Sequence, residues 1–192
     1  MKKLLILSVV ILILTAVSVA SAGTVWFEVD PSDAKDTYDP GETLTIRVVA
    51  DATVSQLTLD AVTSDTDGQA KAPLTLHPNF NLLPSPGSLV NSGDPFILIE
   101  FVTGDVFTGS PLVPSGQALY SFEYQIPLLD SPATITIDDY TDPAHTPPYA
   151  TTVRFGDDTT VQDIAMLQIN VVPEPATLVL LCLGGLLLRR RR

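Results

Sequence analysis

The chain is poor in several things that a small exported domain commonly uses. It has a single cysteine, Cys182, so no intramolecular disulfide can form and stability has to come from packing. It has two histidines, His77 and His145, both in proline-flanked sequence. No Gly-x-Ser-x-Gly elbow and no His/Cys spacing suited to zinc accompanies them, so nucleophilic hydrolysis and a zinc centre are both unsupported. Aromatics make up only 7% of the residues, with one tryptophan. Basic residues are scarcest where they would matter most. Six of the ten sit at the two chain ends, and residues 23–170 hold only Lys35, Arg47, Lys71 and Arg154. Against these stand about 21 acids, a formal charge of about −17, which repels nucleic acid and anionic lipid and excludes DNA or RNA as a partner.

The two ends have the pattern of processing signals. Lys2 and Lys3 precede an apolar run over residues 4–14, and Ala20-Ser21-Ala22 follows as a small-x-small cleavage site. A secretory signal peptide over residues 1–22, cut after Ala22 and marked by Ala20 and Ala22, is expected. At the other end, Val172-Pro173-Glu174-Pro175 leads into an apolar stretch over residues 176–188 and a terminal cluster of Arg189, Arg190, Arg191 and Arg192. Thirteen helical residues cover only about 20 Å, short of a hydrocarbon core of about 30 Å. The arginines orient such a segment with its end in the cytoplasm, which leaves the body outside the inner membrane. Cys182 falls within this stretch and reads as a small apolar residue of the helix.

The Pro-Glu-Pro box, the short hydrophobic helix with Gly184-Gly185 and the arginine cluster together resemble the PEP-CTERM sorting signal of Gram-negative bacteria. The resemblance implies a membrane-embedded exosortase that recognises the box and processes the tail. It implies a precursor tethered to the membrane by the C-terminal helix, then released or re-anchored, at the cell surface or in the extracellular matrix of a producer of exopolysaccharide or biofilm.

Between the signals, residues 23–170 are enough for one domain with a real core. Period-two alternation recurs. Val25, Phe27 and Val29 alternate with Trp26, Glu28 and Asp30. Leu44, Ile46 and Val48 repeat the pattern, as do Leu57, Leu59 and Ala61, and Tyr120, Phe122, Tyr124 and Ile126 share one face of a long strand. Residues 96–102 are apolar except for Glu100 and read as a central strand buried on both faces. Further strands fit residues 133–138, 151–155 and 164–171. Turn chemistry separates them at Asp39-Pro40-Gly41, Pro84-Ser85-Pro86-Gly87, Asp94-Pro95, Pro114-Ser115-Gly116, Asp142-Pro143 and Pro147-Pro148. The expectation is an all-β fold, an antiparallel jelly-roll or immunoglobulin-like sandwich of about eight to nine strands, with long loops over residues 76–95 and 139–149.

The opening, Val25-Trp26-Phe27-Glu28-Val29-Asp30-Pro31 followed by Tyr38-Asp39-Pro40-Gly41-Glu42-Thr43-Leu44-Thr45-Ile46, resembles the start of a cohesin domain. It implies a sandwich of the superfamily shared with cellulose-binding modules.

Three chemistries remain open. Acid doublets at Asp138-Asp139 and Asp157-Asp158 admit a glycosidase by residue type, but neighbouring residues on a strand face opposite ways, so neither doublet forms a catalytic pair alone. Asp33-Asp36-Asp39, Asp138-Asp139-Asp142 and Asp157-Asp158-Asp163 have the oxygen-rich character that calcium needs, making structural calcium at Asp138, Asp139, Asp142, Asp157 and Asp158 an expectation beside a plain solvated acidic surface. Asp65-Thr66-Asp67-Gly68 lacks the glutamate of a calcium loop and reads as a turn. Trp26, Tyr140 and Tyr149 are the aromatics placed to stack on a sugar, with Tyr38 a fourth. The function expected is a non-enzymatic surface protein associated with exopolysaccharide, with a cohesin-like protein–protein adhesion module and a small polysaccharide-active enzyme as alternatives.

Overall fold

The computed structural model describes residues 23–93, 96–140 and 151–173. The expected signal peptide, the hydrophobic helix and arginine cluster, and the loop around Tyr149 and His145 lie outside the described residues.

Eleven strands run in order, and no helix occurs among the described residues: β1 (Val25–Val29), β2 (Thr43–Ala50), β3 (Val54–Thr63), β4 (Gln69–Leu76), β5 (Leu82–Ser92), β6 (Phe96–Asp105), β7 (Ala118–Gln125), β8 (Ala133–Asp139), β9 (Thr152–Phe155), β10 (Thr160–Val161) and β11 (Leu167–Val171). Two antiparallel sheets form. One has the order β1-β2-β7-β4. The other runs β10-β9-β3-β6-β5, with β8 pairing the far half of β3 and β11 pairing β8. One sandwich core lies between them, and the alternation in the sequence dictates it: Phe27, Leu44, Ile46, Leu57, Leu59, Phe122 and Tyr124 all point inward and are buried. Trp26, on the opposite face from Phe27, is half-buried.

Three expectations need correction. Eleven strands replace the eight or nine expected: β4, β5 and β10 have no counterpart among the strands read from the alternation, and residues 76–95 are not one long loop. Their middle forms β5, paired with β6 through Leu82–Asp105, Pro86–Val102 and Leu89–Ile99. Prolines and a glycine are tolerated there because β5 is the outermost strand of its sheet. The expected last strand, residues 164–171, has the regular pairing of β11 only from Leu167; Ile164 is buried ahead of it, and Ala165 bridges to Trp26.

The third correction concerns β6, which is not buried on both faces. Between the Leu59–Val102 and Ala61–Ile99 pairs the register slips, so Asp60 faces two residues, Glu100 and Phe101. Phe101 takes a left-handed backbone (φ 62°), and its N–H donates to Asp60 Oδ1 at 2.6 Å. Such a bulge redirects a side chain, and here it turns Phe101 outward to 47% exposure.

Candidate functional site

The bulge helps to shape the outer face of the larger sheet. A groove of about 200 Å³ lies along β3, β6 and β5, with Gln56, Thr58, Leu82, Leu83, Thr103 and Asp105 around it. Leu83 is 84% exposed, at a second register slip with φ 50°. Phe101 shares the outward face by alternation with Thr103, and Phe107 stands exposed just beyond the end of β6. Large apolar side chains clustered at a groove rim mark a contact surface more often than solitary ones do. Acidic groups lie within it: Asp105 on the groove, Glu100 in β6 and Asp60 beneath the bulge. The four basic residues lie elsewhere or are engaged. Lys35 pairs with Glu42, Arg47 with Glu28 and Asp30, and Arg154 with Asp158, while Lys71 sits opposite Glu123 in the other sheet.

The sequence reading did not single out Leu82, Leu83, Phe101 or Phe107. Nothing in a continuous apolar run reveals which member a bulge will expel.

The expected sugar-stacking aromatics are not brought together among the described residues. Trp26 Nε1–H donates to Glu28 Oε2 at 2.9 Å on the other sheet, and Tyr38 is buried. Tyr140 follows β8, its N–H donating to Asp60 O at 2.9 Å, and is half-buried. His77 has both ring nitrogens engaged: Asn79 N–H donates to Nδ1 at 3.1 Å, which leaves Nε2–H to donate to Gln117 Oε1 at 2.9 Å. That assignment leaves it no free lone pair for a nucleophile's proton.

The acidic candidates disperse. Asp157 Oδ1 accepts from Thr159 N–H and Oγ1–H, which holds its carboxyl below the usual carboxylate range, and Asp158 caps the same hairpin turn with φ 68°. Asp33 Oδ2 accepts from Thr45 N–H, and Asp65 Oδ1 accepts from Asp67 and Gly68 N–H, the turn expected there. Asp142 lies outside the described residues. Among the described residues, no three histidine, cysteine or acidic side chains are grouped to hold a metal ion.

Asp138 and Asp139 remain as a doublet of a different kind. Asp139 is 7% exposed; its Oδ1 accepts from Ile164 N–H at 3.0 Å. Asp139 Oδ2 and Thr151 Oγ1 complete no well-formed hydrogen bond among the described residues, although the hydroxyl is near enough to favour the ionised carboxyl somewhat. Burial dominates and raises the Asp139 pKa, as it does for Asp138, with Asp163 adding repulsion to both. A carboxyl whose pKa is raised by folding contributes stability that is full below its unfolded value of about 3.9 and is lost as pH rises through the folded value. At neutral pH it therefore opposes folding. Asp139→Asn keeps the Oδ1 acceptor and supplies an N–H toward Thr151. Its melting temperature at pH 7, measured in chelator, is expected to exceed the parent's by about 2–4 °C, equivalent to roughly 1 kcal/mol. The gap should shrink at pH 4; a lower melting temperature at pH 7 contradicts this account.

The described body is an antiparallel two-sheet sandwich with a groove on one outer face. Solved structures similar to this chain include cohesins. A type III cohesin module from the ScaE cell-surface anchoring scaffoldin of Ruminococcus flavefaciens is 16% identical, with 83% of this chain and 93% of that chain covered at a TM-score of 0.50. A cohesin from a type I cohesin–dockerin complex of Clostridium thermocellum is 10% identical, covering 79% and 99% at 0.49. A type II cohesin domain from Acetivibrio cellulolyticus is 14% identical, covering 78% and 95% at 0.44. At these identities the likeness concerns the fold: the body is a cohesin-like β-sandwich. The tail is more specific. Residues 171–192 match the PEP-CTERM protein-sorting motif, which implies export and a membrane-anchored sorting signal. No curated protein matches the chain.

Proposed function

We propose that this is an exosortase-sorted surface protein whose body is a non-catalytic protein-binding module, using the outer face of β3, β6 and β5. The observation that carries the reading is the groove lined by Leu82 and Leu83, with Phe101 exposed two residues along β6 from the groove's Thr103; left-handed backbone held within the sheet displays Leu83 and Phe101. Left-handed non-glycine residues are costly and persist only where surrounding structure holds them. The matching partner has an apolar ridge to fill the groove and basic residues around it, because the body's charge attracts a basic surface and repels an acidic one. The cohesin-like fold favours a protein partner over the exopolysaccharide of the producer. The dispersal of Trp26 and Tyr140, and the engagement of Trp26 Nε1–H by Glu28, also weigh against a stacking platform for sugar.

A photoreactive amino acid placed singly at Leu83, Phe101 and, as a control on the other sheet, Lys71 tests this in the native producer. Discrete protein adducts are expected from the first two positions and none from the third. Equal labelling from all three, or binding of the purified body to a glycan array without any protein adduct, sinks the proposal.

A further inference from the structure

The sorting motif begins inside the folded body. Its match starts at Val171, the last residue of β11, and Val171 is 1% exposed. On one edge Val171 pairs with Ala133 of β8; on the other it forms a parallel bridge with Tyr38. Tyr38 N–H donates to Asn170 O, and Val172 N–H donates to Tyr38 O, both at 2.9 Å. Tyr38 is itself fixed: it is 5% exposed, and its hydroxyl accepts from Lys35 N–H at 2.9 Å. The body therefore grips the chain through Val172. Pro173 has no N–H, so the pairing cannot continue, and the grip ends at the first residue of the Pro-Glu-Pro box. From Val172 to Ala176, where the apolar stretch begins, four residues reach at most about 14 Å.

Enzymes and binding domains that take peptides as substrates commonly engage them as extended segments through main-chain hydrogen bonds. The backbone just upstream of the box is already committed on both edges. We infer that the folded body withholds residues 170–172 from the sorting enzyme through Tyr38, so that processing of the folded precursor is limited by fraying of this last stretch of strand. Tyr38 is thus a positioning residue for the sorting step. The inference rests on the sorting reading above.

The test is a six-residue Gly/Ser insertion between Val172 and Pro173, expressed in the native producer and followed by pulse-chase with mass spectrometry of the C-terminus. It leaves the grip intact and supplies free backbone upstream of the box. The initial processing rate is expected to rise at least about threefold, the scale of one net backbone hydrogen bond. The same insertion in the exposed turn at Gly109, which has open space around it, leaves the rate unchanged. Both insertions leave the melting temperature of the body within a few degrees of the parent. No acceleration from the first insertion, or equal acceleration from both, overturns the inference. A parallel variant with Pro173, Glu174 and Pro175 replaced by alanine separates the two readings. If that variant is processed normally, the sorting reading fails; if it is blocked while the spacer has no effect, the inference about Tyr38 alone fails.

Discussion

Replacing Pro173, Glu174 and Pro175 by three alanines leaves the exported chain in the membrane with Arg192 still attached. The two prolines fix φ and remove two backbone donors, and the box carries one carboxylate, that of Glu174. Alanine restores the donors, removes the charge and permits helix to run back toward Val172. A site shaped to a polar group rejects an analogue lacking it by large factors, and the released form is expected to fall at least about 100-fold. Membrane fractionation with intact mass of the C-terminus reads the outcome. Release of the alanine variant at the parent's rate, with the tail trimmed at the same place, refutes the role given to the box.

The second large effect belongs to the core. Phe122 of β7 is 1% exposed, central in the four-stranded sheet between β2 and β4, with its ring 6.1 Å from that of Tyr120. Phe122→Ala removes the ring from a packed site and is expected to cost about 3–5 kcal/mol. That is a large share of the 5–15 kcal/mol typical of a folded domain, and this body has no disulfide to limit the loss. Thermal unfolding followed by circular dichroism should show the midpoint lowered by roughly 6–20 °C. A shift of under about 2 °C, less than 1 kcal/mol on the same scale, denies Phe122 its place in the core.

The fold was legible where alternation and turn chemistry agreed. Phe27 against Trp26, and Phe122 and Tyr124 against Ser121 and Glu123, place their faces without ambiguity. Asp39-Pro40-Gly41 supplies the turn it promises: Gly41 takes φ 81°, and its N–H reaches Ile126 O at 3.1 Å. The sorting tail was legible because its three parts lie in sequence order. β5 was hidden because Pro84, Pro86 and Gly87 are the residues that normally interrupt a strand, and only its position at the sheet margin reconciles them with one. The groove was hidden for a different reason. Phe101 sits in a run of apolar residues that period-two reasoning buries, and what expels it is a hydrogen bond to Asp60, 41 positions away in the chain. A buried carboxylate of that kind leaves no local signature.

The prolines of β5 also bear on life in a crowded envelope. An outermost strand with free main-chain donors invites the same strand of a neighbouring copy to zip alongside, and repetition of that contact builds fibres. Pro84 and Pro86 each strip one donor from the margin that closes the larger sheet. Two copies meeting along this margin are thereby hindered from extending the sheet through it.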